Sequence, residues 1–363
     1  MNRRRFIHRV ASASALAAGM PAFAAVPGAP LPEENDAIRT LAEGFLREHG
    51  LPGLAIAFGR DGNVLYEAGF GLADAEGREA VSAKHRFRIA SISKSITATA
   101  VMMAVEKKQL ALDSRVFGPD GILGDAYGRS LPESVLAVTV DHLLLHTSGG
   151  WKNDAGDPMF KNPGMKHDEL IAWTLANQKQ THPPGAHYAY SNFGYCVLGR
   201  VLEKVGGLSY AELIARDVFA KCGIRSMEIA GNTLAERKPD EVMHVSEPPE
   251  AAYAMNVARM DAHGGWIATA GDLVRFVSQL PKLLGPDSIR KMTTAGVNAG
   301  YARGWAVNKV PNWWHNGSLP GTATIMVHTA GGMCWAGLLN SRKGGNLDQL
   351  MWRIGRAVKA WGL

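Results

Sequence analysis

The 363-residue sequence has only three cysteines, Cys196, Cys222 and Cys334. So few, and an odd number, exclude a disulfide scaffold, leave at least one thiol unpaired and offer no zinc-type pair. Tyr195-Cys-Val-Leu and Met333-Cys-Trp-Ala are apolar surroundings that suit small buried hydrophobes, with one pair still open. A glycine-rich phosphate loop is also missing, as is any Lys/Arg run beyond the start of the chain. Charge of one sign is scarce too. The net charge is +6, but Arg3, Arg4, Arg5 and Arg9 lie in the first 24 residues, which hold no acid, and the remainder carries only +2. The electrostatic case for nucleic acid binding is thereby lost. After residue 24 no segment has the ~18 uninterrupted apolar residues of a membrane span. What is present is a globular composition, 46% hydrophobic and 20% charged, long enough to bury a core without metal or disulfide. The 41 Gly and 18 Pro follow no period, which excludes collagen and calls for many turns.

The first residues read as an address. Arg3-Arg4-Arg5-Phe6-Ile7 is followed by the apolar stretch Val10 to Met20 and by Ala22-Phe23-Ala24. Basic, apolar and small-residue regions in that order predict a secretory signal over residues 1–24, cleaved after Ala24. The Arg-Arg-x-Phe-Ile pattern resembles the twin-arginine class, so the protein is expected to be exported to the periplasm or secreted.

Glu33 to His49 has helical spacing, stopped by Gly50 and Pro52. Leu54 to Phe58 and Val64 to Ala68 flank Arg60-Asp61-Gly62-Asn63, a hairpin signal. Ser91 to Gln109 is mostly apolar and predicts a buried helix. Val140–His146, 168–177, 192–205, 210–222 and 271–280 also read as helices, and strand signals return at 304–307, 322–328 and 333–340. The chain closes on an amphipathic helix, 347–361. The sheet segments at the two ends must meet to satisfy their backbone groups. The expected fold is α/β (α+β): an antiparallel sheet flanked by N- and C-terminal helices, residues 31–90 plus 265–363, with an all-helical lobe, 91–264, inserted.

Ser91-Ile-Ser-Lys94 places a hydroxyl and an amine on one face at the start of the apolar helix. Burial and the positive helix end both disfavour the ammonium, which makes the amine a usable base, and N–H groups at the same helix start can hold an oxyanion. A second match, Ser288-Ile-Arg-Lys291, lies in a polar stretch and reads as a solvated helix. Tyr190-Ser191-Asn192, the only Tyr-x-Asn, follows a turn-rich approach; its phenol can join a proton relay and Asn192 can meet a substrate carbonyl. In His315-Asn316-Gly317-Ser318, Gly317 lets a ligand approach the backbone, the Ser318 N–H offers a second oxyanion donor, and His315 a polar, partly cationic side chain for a carboxylate. His142 and His146 are four apart on a helix but lack a third ligand, so no metal is expected, nor any other cofactor. Of Trp313 and Trp314, one is expected inward and one outward.

In this order the three motifs resemble those of the penicillin-recognising serine hydrolases, closest to the branch with class C β-lactamases, DD-carboxypeptidases, D-aminopeptidases and related esterases. Phe87-Arg-Ile-Ala-Ser-Ile-Ser-Lys94, Leu143-Leu-Leu-His-Thr-Ser-Gly149, Pro184 to Gly194 and Gly264 to Leu273 look like family segments as well. The resemblance implies a β-lactamase/transpeptidase-like fold, with Ser91 as acylated nucleophile and Lys94 and Tyr190 sharing its proton. It further implies that Asn192 orients the substrate amide and that the N–H groups of Ser91 and Ser318 form the oxyanion hole. The partner is then a small-molecule or peptide substrate, a D-amino-acid peptide or small ester. Two departures stand out. His-Asn-Gly replaces the Lys-Thr-Gly of many β-lactamases, and no Glu-x-x-Leu-Asn segment supplies a separate deacylating glutamate. The alternatives are a β-lactamase proper and a penicillin-binding sensor that acylates without turnover. Oligomeric state has no signal in the sequence.

Overall fold

The computed structural model describes residues 27–74, 77–343 and 345–363; the signal-like segment 1–24 lies outside them. Among the described residues the strands are β1 (Gly53–Arg60), β2 (Asn63–Gly71), β3 (Phe87–Arg88), β4 (Glu228–Ile229), β5 (Trp266–Ala268), β6 (Ala306–Val307), β7 (Trp313–Leu319), β8 (Thr322–His328) and β9 (Cys334–Leu339). Six of them form an antiparallel sheet in the order β2-β1-β9-β8-β7-β6. β1 pairs with β9 from Leu54↔Leu339 to Gly59↔Cys334, so the two ends of the chain share one ladder. A second sheet, β3-β5-β4, has no counterpart in the sequence reading because strands of two or three residues show no periodicity.

The Asp61-Gly62 step turns the β1–β2 hairpin with φ of 53° and 85°, the pair of positive angles that the right-handed strand twist favours. β1 is buried on both faces. Ile56 and Phe58 pack with Trp335 under the N-terminal helix Pro32–His49 and the C-terminal helix Leu347–Ala357. Ala55 and Ala57 face the other side, where their small side chains meet Leu273, Val274 and Val277 of the helix Ala270–Ser278.

The helix Ser93–Glu106, which begins two residues after Ser91, is buried from Ser93 to Ala104 without a break, as expected for an apolar helix with partners all round. Two segments depart from expectation. The predicted helix 210–222 is α-helical only to Ile214, then widens to a π-turn and tightens to a 3₁₀ turn ending at Cys222. The predicted strand 304–307 shrinks to Ala306–Val307 because Gly304, at φ 79°, presses against the helix Ser93–Glu106: its carbonyl accepts from Ser95 Oγ at 2.7 Å, and a Cβ there would strike Ala98. All three cysteines are free and buried. Trp313 is buried and Trp314 half-buried. No described helix is long and apolar enough to cross a membrane.

Candidate active site

β3 ends at Arg88, and Ala90, in the left-handed region at φ 48°, swings the chain into a 3₁₀ turn (Ala90–Ile92) that runs on into the helix at Ser93. A non-glycine residue there costs on the order of 1 kcal/mol. The turn leaves Ser91 partly accessible while Lys94, one turn on, is fully buried.

Lys94 Nζ has three oxygen neighbours: Asn192 Oδ1 at 2.8 Å, the His263 carbonyl at 2.9 Å and Ser91 Oγ at 3.1 Å. The first two can only accept, so they take two amine hydrogens. Burial pulls the Lys94 pKa down to about 7, and Asp157 opposes that shift through its charge. In the neutral amine the remaining lone pair is left for the Ser91 hydroxyl proton.

Tyr190 approaches from the loop before the helix Asn192–Gly206. Its hydroxyl hydrogen-bonds Ser91, and its ring lies 4.9 Å from Lys94 Nζ. Burial holds its phenol well above the ordinary range, so it rests protonated. Ser191 caps the helix, accepting from the Gly194 N–H at 3.0 Å and donating to the Trp151 carbonyl at 2.6 Å. Asn192 is oriented by its two partners: Oδ1 accepts from Lys94 and Nδ2 donates to Asp157 Oδ2 at 2.7 Å. One amide hydrogen therefore remains for a substrate.

β7 supplies the third motif. Gly317 and Leu319 face the interior, Asn316 and Ser318 the solvent. At Gly317 an added Cβ would run into the Ile89 carbonyl and Thr324 Oγ1. This glycine therefore admits the turn that carries Ser91, and it is that turn, not a ligand, that comes close to its backbone. Gly317→Ala is expected to push β7 off that turn and lower kcat roughly 10²-fold. Steady-state kinetics with a thermal melt would check it, because a full-rate variant would mean the two elements part without cost.

His315 departs from expectation. It is buried, and burial with the nearby Lys94 charge lowers its pKa to about 3, so it is neutral. Both ring nitrogens have partners, Tyr301 Oη at 3.1 Å and the Asn316 carbonyl at 2.7 Å. It is not among the residues lining the cavity at Ser91, and the cationic carboxylate partner expected here is absent. The arginine among the residues lining that cavity is Arg342.

The cavity measures about 340 Å³ and is lined by Ala90, Ser91, Asn192, His263 and Ser318, with Phe160, Met255, Met260 and Leu319 as apolar walls. Ser91, Lys94, Tyr190 and Asn192 thus meet, with Ser318 on the same cavity. Sequence reasoning missed Asp157, His263, Tyr301 and Arg342, which sit in segments without periodicity and reach the site only through the fold. It also set His146 aside, weighing it only as a metal ligand. The second Ser-x-x-Lys lies on the helix Pro286–Thr293 with Lys291 exposed. No cluster that could hold a metal occurs among the described residues.

The family model described as Beta-lactamase matches residues 38–359. "Penicillin-binding protein 4" of Amycolatopsis lactamdurans is 30% identical over 339 residues, covering 85% of this chain and 84% of that protein. "Esterase EstB" of Burkholderia gladioli is 32% identical over 191 residues, 50% of this chain and 47% of the esterase. Among solved structures, D-amino acid amidase from Ochrobactrum anthropi SV3 superposes with a TM-score of 0.74 at 21% identity, over 90% of this chain and 99% of that one.

Proposed function

Because the chain belongs to the β-lactamase family of serine hydrolases, we propose that it hydrolyses amide or ester bonds through an acyl-enzyme on Ser91. The observation that carries this reading is the Lys94 amine: two of its hydrogens are committed to oxygens that can only accept, and its third direction faces Ser91 Oγ at 3.1 Å. The Ser91 proton passes to Lys94 as Oγ bonds the substrate carbonyl carbon. The resulting oxyanion rests on the N–H groups of Ser91 and Ser318, an arrangement in which one donor is typically worth about 3 kcal/mol. As the C–N or C–O bond breaks, the leaving group takes the Tyr190 proton, and Lys94 returns its own to the tyrosine. Water then attacks the acyl group, gives its proton to the same pair, and Ser91 leaves protonated.

The apolar walls supply a pocket for a side chain, and the Arg342 guanidinium suits a carboxylate. Both agree with a D-amino-acid peptide, and the walls alone with a small ester. The overlap with D-amino acid amidase and the sequence similarity to an esterase run the same way. The Arg-rich start of the chain supports export by the twin-arginine route, and a mass spectrum of the protein recovered from the periplasm would reveal cleavage after Ala24. The test of the reaction is intact-mass analysis after exposure to p-nitrophenyl esters, D-alanyl peptides and β-lactams. An adduct on Ser91 that disappears with time is expected for a turned-over class. A permanent adduct from every class would mean a sensor, and no adduct from any would end the proposal.

A further inference from the structure

A chain of hydrogen bonds runs behind Tyr190, and its donors can be assigned from the ends inward. The Asn316 carbonyl, 2.7 Å from His315 Nδ1, can only accept, so the proton of that neutral ring sits on Nδ1. His315 Nε2 is then an acceptor, and the hydroxyl 3.1 Å away, Tyr301 Oη, must donate to it. With its only proton spent, Tyr301 accepts from His146 Nε2 at 3.2 Å. At the far end the Ser191 N–H can only donate, and it points at His146 Nδ1 at 3.1 Å. Both ends demand the same arrangement: proton on Nε2 of His146 and on Nδ1 of His315. The Tyr195 hydroxyl lies beside Tyr301 but gives its proton to the Leu144 carbonyl at 3.0 Å.

His146 holds both neighbours of Tyr190. Its ring takes the Ser191 N–H, and its backbone carbonyl takes the Ala189 N–H at 2.8 Å. Its backbone adopts φ 58°, a left-handed conformation that a histidine keeps only when its surroundings impose it. The Tyr190 ring packs against His146 at 4.2 Å and edge-on to Tyr301 at 6.0 Å between centroids. Tyr188, Tyr190, Tyr195 and Tyr301 surround His146 as ring contacts; the Lys94 charge disfavours protonation of both imidazoles, and His315 adds to this at His146.

We infer that His146 is a positioning residue: as a neutral imidazole protonated on Nε2, tied through Tyr301 to His315, it clamps the backbone on either side of Tyr190 and so aims the phenol at Ser91. The inference rests on the reaction proposed above for the phenol's role, but not for the proton order itself. A protonated His146 would turn Nδ1 into a donor against the Ser191 N–H and open the clamp.

Two substitutions separate clamp from packing. Asn places an acceptor where Nδ1 stands, whereas Gln is nearer in volume but offers its amide only at the ε position. His146→Asn is expected to keep kcat within about threefold of the native chain, and His146→Gln to lose roughly 10- to 100-fold in kcat with KM little changed. The reverse order is what a space-filling role would give, and it would overturn the inference. In a Tyr190→Phe background, His146→Gln should add almost no further loss, since the clamp acts through the phenol; multiplying losses would refute it. Independent of activity, two-bond ¹H–¹⁵N correlation spectra of the native chain should find His146 protonated on Nε2 and His315 on Nδ1, unchanged from pH 5 to 9. The opposite tautomer, or titration in that range, overturns the proton order even if Ser91 acylates normally. Should Ser91 fail to acylate, the spectrum alone decides it.

Discussion

Ser91→Ala is expected to lower kcat/KM for any substrate the protein turns over by roughly 10⁴- to 10⁶-fold, the range found when a nucleophile that acts as part of a unit is removed. Folding should be spared. Ser91 is partly accessible and contributes one hydroxyl to Lys94 and Tyr190, while the surrounding turn is held by the Ile89 carbonyl against Thr324 Oγ1 at 3.0 Å and by Gly317. The measurement is steady-state hydrolysis beside a thermal melt, with intact mass showing that the adduct is lost too. Hydrolysis at more than a tenth of the native rate by a folded variant would remove Ser91 from the reaction and with it the role of Lys94 as its base.

The second large effect concerns Lys94. Removing the amine in Lys94→Ala should lower kcat roughly 10²- to 10⁴-fold, the usual contribution of a positioned base. In the native chain the amine accepts a proton only when neutral, and burial brings its pKa to about 7. The rate of acylation should therefore rise with pH through about 7 and level off above. Asp157 sets part of that midpoint. Its charge raises the Lys94 pKa, and it reaches the amine through Asn192. Asp157→Asn keeps a hydrogen-bonding group and removes the charge, so the midpoint should move down. A pH–rate profile of ester hydrolysis reads both; an acid limb that stays fixed in Asp157→Asn, or lies below pH 5 in the native chain, would assign the titration to another group. Stability follows the same group with a defined sign. The folded-state pKa is lowered, so between about 7 and the ordinary lysine value the unfolded chain binds a proton that the folded chain does not. Through this group, stability rises with pH across that window and is least below it.

Much of the machinery could be read without coordinates, because it rests on short-range rules. Ser91 and Lys94 are three apart, and a helical turn alone brings them together. Asp61-Gly62 fixes a hairpin through positive φ, and the apolar stretch after Ser91 announces a helix with no exposed face. Gly317 was legible as a place of close approach, although the atoms that approach it, the Ile89 carbonyl and Thr324, were not. Tyr190-Ser-Asn192 stood out as a lone motif after a turn-rich approach, but nothing local says which way the Asn192 amide faces.

What the tertiary structure decided is electrostatic and long-range. His315 reads as a polar, partly cationic group because an isolated imidazole titrates near neutrality, yet burial beside Lys94 leaves it neutral and tied to Tyr301. His142 and His146 look like a pair because they are one turn apart. In the fold His142 Nδ1 accepts from the Thr139 N–H, while His146 sits in the left-handed region and serves the Tyr190 loop instead. Asp157 and Arg342 lie in loops whose residues obey no period, and only the packing of distant segments brings them to the cavity or to its ligating amide. Covalent spacing specifies which groups are neighbours along a turn. Desolvation, which sets their charge and hence what each can do, depends on every atom that excludes water from them, and those atoms come from all parts of the chain.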